Sequence, residues 1–313
     1  MTKAAKIFVA GHRGLVGSAL VRRLRDGGYD NIVTRTRAEL DLLNQSAVHS
    51  FMQAERPDYI FMAAARVGGI LANNTRRADF LYENLVIATH IVHAAYAAGN
   101  RRMLFLGSSC IYPRECPQPM REEYLLTGPL EHTNEPYAIA KIAGVKLCEA
   151  YNDQYGTQFV SAMPTNLYGP NDNFDLESSH VLPALMRKID AAKTNGDREV
   201  VIWGSGTPRR EFLHVDDLAD GCVFLMESGC KKGIYNIGAG TDVTIRELAE
   251  LIADIVGYTG EFVYDAGKPD GTPRKLLDVS RMSDLGWRAK NSLRDGIAQT
   301  YAWYRRELRD QTG

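Results

Sequence analysis

No stretch of this 313-residue chain approaches the ~20 consecutive apolar residues that a membrane-spanning helix needs. Its five cysteines, at positions 110, 116, 148, 222 and 230, form no C-x-x-C pair and no cluster with histidine. That spacing excludes a zinc ribbon and a disulfide framework, implies no bound metal, and points to a reduced, cytoplasmic protein. Net charge is nearly absent too: 37 Lys and Arg against 38 Asp and Glu leave −1. Such a balance exerts no global pull on nucleic acid or an anionic membrane, so local arginines and backbone amides have to meet any anionic ligand. Repeats and low-complexity linkers are missing, and the N-terminal "MTKAAKIFVAG" runs into a strand pattern rather than a secretory leader.

What the chain does contain is material for a core, 45% of it being hydrophobic. Short apolar or β-branched runs recur at 6–11, 31–36, 58–64, 101–108 and 158–167. Helix-like stretches separate them at 15–24, 45–55, 80–98 and 137–155. Strands alternating with helices predict an α/β fold with a doubly wound parallel sheet, whose ligands bind at the carboxyl ends of the strands. Beyond residue 170 the pattern loosens around helices at 215–228 and 244–257 and a closing "SLRDGIAQTYAWYRREL". The expected organisation is a dinucleotide-binding domain over 1–170 and a smaller, interwoven substrate domain over 171–313. Strands near 200–203 and 234–237 are expected to return to the first sheet.

The first run ends in "GHRGLVG", which covers Gly11, His12, Arg13, Gly14, Leu15, Val16 and Gly17. One glycine makes the tight turn, another lets the backbone approach a pyrophosphate, and the third allows close helix–strand packing. The following helix N-terminus offers amides and a favourable dipole to the phosphates. The second strand ends "TRTR", with Arg35 and Arg37 where an NAD site usually carries a carboxylate. Guanidinium groups there, with Arg13 nearby, suit the 2′-phosphate of NADP(H) through paired, charge-assisted hydrogen bonds.

Tyr137 and Lys141 stand four apart in "YAIAK", on one face of a predicted helix. An ammonium near a phenol favours the phenolate, so the tyrosine can exchange a proton with a carbonyl oxygen at neutral pH. A hydroxyl at the end of the preceding strand, in "GSSCIYP", can donate to the same oxygen. With "GHRGLVG", "PTNLYGP", "REFLHVDDLA" and "YNIGAG", these stretches resemble the extended short-chain dehydrogenase/reductase family along nearly the whole chain. The resemblance makes Ser108 the hydroxyl that polarises the carbonyl and Tyr137 the proton donor. Lys141 then tunes Tyr137 and holds the nicotinamide ribose, while Pro164, Thr165, Asn166 and Leu167 line the nicotinamide side. It assigns no role to Ser109, which would face the other side of the strand if extension continued, and leaves Cys116 structural.

Narrower stretches, among them "AAARVGGI", "MPTNLYGPNDNF", "WGSGTPRREFLHVDD" and "KPDGTPRKLLDV", are similar to members of that family that epimerise a GDP-4-keto-6-deoxymannose at C3 and C5 and then reduce C4 with NADPH. Arg66 stands where the resemblance leads one to expect lysine. For epimerisation the resemblance supplies Cys110 and His180 as base and acid, His180 also lying beside the cofactor. It further implies that Lys188, Trp203, Arg210 and Asp278 contact the GDP-sugar, and that the chain forms a homodimer. Two rivals stay open: an NAD-dependent nucleotide-sugar 4-epimerase or dehydratase of the same family, and a redox-sensing binding protein without catalysis.

Overall fold

The computed structural model describes residues 1–309 apart from Glu177, Lys268 and Pro269, so the "KP" of "KPDGTPRKLLDV" lies outside the described residues. Six strands form one all-parallel sheet: β1 (Ile7–Ala10), β2 (Ile32–Val33), β3 (Tyr59–Met62), β4 (Arg102–Leu106), β5 (Gln158–Pro164) and the later β9 (Gly233–Ile237). Their order is β2-β1-β3-β4-β5-β9. The chain runs from β1 outward to one edge and then crosses to β3 on the other side, which creates a switch point beside β1.

Strand β1 shows why this sheet has two covered faces. All four of its residues are buried. Phe8 and Ala10 join one core cluster, and Ile7 and Val9 join another on the opposite face, as the two-residue period of a strand demands. The first cluster is closed by α2 (Gln45–Glu55), α4 (Arg77–Ala97) and α5 (Glu135–Tyr155), through residues such as Val48, Met52, Ile91 and Val145. The second is closed by α1 (Leu15–Asp26) and α7 (Val215–Glu227), through Leu20, Leu24, Leu218 and Leu225. Both α7 and β9 come from beyond residue 170, so the chain's second half helps build the first layer.

A third cluster lies elsewhere, between α6 (Val181–Asn195), α8 (Ile245–Val256) and α10 (Leu293–Tyr304). Helix α8 is fixed at its start by a capping box. The Thr244 hydroxyl accepts from the Glu247 amide at 3.0 Å, and the Glu247 carboxylate accepts from the Thr244 amide at 2.7 Å. A small mixed sheet sits between this cluster and the large sheet. Its centre is β8 (Arg209–His214), flanked by β10 (Asp242–Thr244) and β12 (Arg274–Lys275), with β6 (Asn166–Tyr168) pairing further along β8.

The run at 158–167 thus splits into two strands serving two sheets, β5 and β6. The expectation for 200–203 needs correction. Strand β7 (Glu199–Trp203) pairs in parallel with β11 (Glu261–Asp265) in a separate two-stranded sheet. Its alternation of exposed and buried residues is the reason: Val200 and Ile202 face the third cluster while Glu199, Val201 and Trp203 face out. Such a strand is covered on one face only, unlike β1 of the large sheet, which is buried on both.

Helix α5 carries Tyr137 and Lys141 and lies directly on β4. Gly144 permits this, because a Cβ there would sit 2.3 Å from the Phe105 ring. We expect Gly144→Ala to destabilise the fold by about 1–3 kcal/mol through overpacking. The shift in the denaturant midpoint of the full-length protein measures it.

Candidate active site

The carboxyl ends of β1, β4 and β5 converge on one cleft. At β1, Gly11 adopts φ 81°, and a Cβ there would meet the Ala64 backbone at 2.9 Å. A Cβ on Gly17 would lie 2.0 Å from the Gly11 carbonyl oxygen, so helix and strand close on each other only with glycine at both places. Gly14 caps α1 in extended conformation, and Ser18 is the first amide to bond back, to the Gly14 carbonyl at 2.9 Å. The first-turn amides therefore point outward, as an anion cradle requires. This backbone fits a dinucleotide pyrophosphate.

The basic residues around the neighbouring turn are not equivalent. Arg35 is committed to Glu55 at 2.7 Å and lies over the Phe51 ring at 5.3 Å. Arg37 is largely exposed, 3.9 Å from Asp41. Glu39, the first carboxylate after the "TRTR" turn, folds back onto the Thr36 amide and hydroxyl at 2.7 and 2.8 Å. Those hydrogen bonds, with lesser help from Arg35 and Arg13, hold its carboxyl below the usual range. Arg13, on the glycine loop, is exposed beside this group.

Strand β4 delivers the next set. The Gly107 amide still bonds across to the Ala162 carbonyl at 2.9 Å, and Ser108 is still extended, with φ −166° and ψ 150°. Extension stops there. Ser109–Ile111 form a single tight turn, with the Cys110 amide donating to the Ser108 hydroxyl oxygen at 3.4 Å. Ser109 is therefore the first residue of a turn rather than a strand residue facing the opposite side. Tyr112, which follows, is buried and donates to Asn236 Oδ1 at 2.5 Å, anchoring the turn to β9.

Helix α5 brings Tyr137 and Lys141 to this turn. Lys141 is buried, donates from Nζ to the Leu106 carbonyl at 2.7 Å, and sits 5.7 Å from the Tyr137 ring centre. Burial lowers its ammonium to about 8. The Tyr137 phenol is pushed well above its ordinary value by burial and then by Cys110, while the Ser108 hydroxyl beside it works in the opposite direction. Tyr137 thus holds its proton at neutral pH, the state a proton donor needs. Behind it, Phe80 meets its ring edge-on at 6.4 Å. Arg66 lies over Phe80 at 5.6 Å and pairs with Glu83 and, at 3.5 Å, Asp79. The guanidinium thus braces the wall behind the tyrosine.

Cys110 is buried, and desolvation raises its thiol, with Ser108, Lys275 and Lys141 opposing. His180 occupies the N-cap of α6 without making a side-chain cap bond. Desolvation by the surrounding protein holds the imidazole below its ordinary value. Pro164 ends β5. Beyond it Thr165 bonds the Ile237 carbonyl at 3.2 Å, Asn166 donates to the Glu211 carbonyl at 2.8 Å, and Leu167 continues β6.

Further along the cleft, Trp203 is 58% exposed with the Lys188 ammonium 5.1 Å from its ring centre, an open flat wall beside a cation. Burial lowers Arg210, partly offset by Asp270. Asp278 is not brought to this group. It pairs with Arg121 at 3.4 Å and accepts from the Ser280 amide at 2.9 Å. The carboxylate that stands by Arg210 is Asp270, which also accepts from the Ser205 amide and hydroxyl at 2.6 and 2.8 Å. Lys275, beside Cys110 and Arg210, is a second residue that sequence reasoning missed. Its signal was the basic pair in "TPRKLL", where strand alternation sends Arg274 and Lys275 to opposite faces.

A cleft with this geometry has relatives. The model of the NAD dependent epimerase/dehydratase family matches residues 7–238. The chain is 61% identical over 302 residues to GDP-L-fucose synthase 1 of Arabidopsis thaliana, covering 96% of this chain and 94% of that one. It is 55% identical over 308 residues to GDP-L-fucose synthase of Escherichia coli (strain K12), covering 96% of each. Among solved structures, MlghC, a GDP-mannoheptose C4 reductase from Campylobacter jejuni with NADP bound, superposes with a TM-score of 0.89 at 40% identity, covering 97% of this chain and 99% of that one. This chain belongs to the NAD dependent epimerase/dehydratase family.

For a family member that reduces a ketone, the ionisation of Lys141 sets an alkaline limit. Reduction turns Tyr137 toward phenolate, which the Lys141 ammonium stabilises only while protonated. We expect the reduction rate to fall as pH rises through about 8. Lys141→Met should lower it by roughly 10²–10³-fold at neutral pH. Single-turnover oxidation of the nicotinamide against pH measures both.

Proposed function

We propose that this chain converts GDP-4-keto-6-deoxy-D-mannose to GDP-L-fucose, epimerising C3 and C5 and then reducing the C4 ketone with NADPH. The observation that carries this reading is the position of Cys110. It lies one tight turn beyond Ser108, in the same pocket as Tyr137 and Lys141, so a proton-transfer group stands next to a complete carbonyl-reducing set. The identities to GDP-L-fucose synthases, 61% and 55% over nearly the whole chain, support the substrate.

Ser108 and Tyr137 hydrogen-bond the C4 oxygen of the sugar, which acidifies the hydrogens on the flanking C3 and C5. Cys110 takes a proton from one face of such a carbon, and the electron pair moves onto the C4 oxygen as an enolate. His180, in its imidazolium form, returns a proton to the opposite face, leaving neutral imidazole, and the configuration inverts. NADPH, when bound, supplies hydride to C4. Tyr137 gives its phenolic proton to the C4 oxygen, and Lys141 stabilises the phenolate that remains. The glycine loop from Gly11 to Gly17, with Lys141, His180 and Pro164–Leu167, holds the dinucleotide. Arg13 and the exposed Arg37 gather at the 2′-phosphate, while Arg35, held by Glu55, borders that site. Trp203 stacks on the base of the GDP, while Lys188, Arg210 and Lys275 meet its diphosphate.

The same proposal includes a homodimer. Helices α4 and α5 are covered on one face by the sheet, yet they present Tyr82, Ile139 and Tyr155 outward, 64%, 43% and 40% exposed. A cytoplasmic setting suits five unpaired thiols, and among the described residues no helix is long and apolar enough to cross a membrane.

Incubation with NADPH and GDP-4-keto-6-deoxymannose should oxidise the nicotinamide and yield GDP-L-fucose; no oxidation overturns the reading. Cys110→Ser should stop solvent deuterium from entering C3 and C5 while Tyr137 remains able to serve reduction. Exchange at the wild-type rate in that variant would remove Cys110 from the base role. Light scattering of the full-length protein tests the dimer, which is expected at twice the chain mass.

A further inference from the structure

Cys110 poses an electrostatic problem that the residues assigned so far do not solve. Its burial favours the thiol, whereas taking a proton from carbon requires the thiolate. The groups facing it are Ser108 on its own turn, Tyr137 and Lys141 from α5, and Lys275 from β12. Ser108 and Tyr137 carry no positive charge. Lys141 is already fixed on the Leu106 carbonyl at 2.7 Å and placed beside the phenol.

Lys275 differs in each respect. Among the described residues its ammonium makes no hydrogen bond or ion pair. The groups that act on it are Cys110, then Arg210, Glu131 and Cys116. Its backbone is fixed on both sides. Lys275 pairs in register with Arg210 across β8, the Leu277 amide bonds the Glu211 carboxylate at 3.0 Å, and the Leu276 amide bonds Gln118 Oε1 at 2.9 Å. The Met120 amide returns to the Leu276 carbonyl at 2.7 Å, tying β12 to the loop that follows Cys110. Arg274, one residue earlier, is held by Asp242 on the opposite face. Strand alternation therefore turns Lys275 inward, on a backbone clamped to the segment that bears the thiol.

We propose that Lys275 is a positioning residue for the epimerisation, its ammonium acting as the counter-ion of the Cys110 thiolate. This rests on Cys110 being the base of the proposed reaction. The thiol proton leaves to water before the chemistry. The thiolate then takes the sugar's α-proton, re-forming the S–H bond, and the C–H electron pair passes to the C4 oxygen. Lys275 gives up no proton in these steps; its charge makes the first of them accessible at neutral pH. Its proximity to Arg210 places the same ammonium between the base and the diphosphate end of the cleft.

The test reads the thiol directly in the full-length protein. Cys110 alkylation by iodoacetamide is followed against pH from the mass of the peptide that carries it, because the rate tracks the thiolate fraction. In Lys275→Met and Lys275→Gln the inflection should move up by about one pH unit or more, whereas Lys275→Arg should stay near wild type. Deuterium entry at C3 and C5 at neutral pH should fall about tenfold for each unit of that shift. An unchanged inflection in both neutral variants overturns the proposal, as does an effect confined to the KM for the GDP-sugar, which would make Lys275 a phosphate ligand only. Failure of the wild-type protein to oxidise NADPH with the keto-sugar would instead overturn the reaction assignment, and the alkylation inflections would still decide the role of Lys275.

Discussion

The arrangement of the cleft depends on one carboxyl group that water does not reach. Glu211, on β8, is 0% exposed. Its two oxygens accept from the Gly240 amide at 2.7 Å and the Leu277 amide at 3.0 Å. Gly238 has to be glycine for this to fit, since a Cβ there would lie 2.3 Å from the carboxyl. Burial raises the carboxyl and the backbone amides draw it back down, so the group is held by the very segments it joins. One amide belongs to the loop after β9 at the sheet's carboxyl edge, and the other to the segment just beyond β12, the strand that carries Lys275. The Glu211 carbonyl meanwhile receives Asn166 and Thr165 from the nicotinamide side. Cofactor side and substrate side are registered to each other through this residue.

Around that knot, desolvation of the ionisable groups dictates protonation. Tyr137 and Cys110 are driven toward their neutral, proton-bearing forms, and Lys141 and His180 toward losing theirs. Where charge has to appear during a reaction, a fixed partner already in place spares the cost of reorganising solvent around it. The lysines on α5 and β12 are spaced to do this for two different atoms, the phenol and the thiol. A single cation between them would serve neither well.

The large sheet was legible because its inner strands β1, β3, β4 and β5 are apolar runs bounded by a glycine or a turn, a mark left by burial on both faces. The glycine loop, the Tyr137–Lys141 spacing and the strand-end position of Ser108 are local patterns of the same kind. What local pattern could not show is which partner a segment finds. Residues 199–203 read as a strand but pair with 261–265 rather than with the sheet. Arg35 reads as a free phosphate ligand, although a carboxylate twenty residues away already holds it. Asp270 and Asp278 lie eight residues apart in one short stretch. Only the chain's path places Asp270 by Arg210 and leaves Asp278 pairing with Arg121. Lys275 escaped notice for the same reason, because its neighbour in space is 165 residues away in sequence.

The tight turn at Ser109–Ile111 separates the two chemistries physically. Everything needed to accept a hydride lies on a strand end and a long helix, elements whose replacement would disturb the sheet. The thiol lies instead on three residues with no strand partners of their own. Heritable change can therefore alter the stereochemistry of the product at that turn, one residue at a time, and leave the fold and the redox step intact. In a fold of this kind, diversity among sugar products is cheapest where the backbone has just left the sheet.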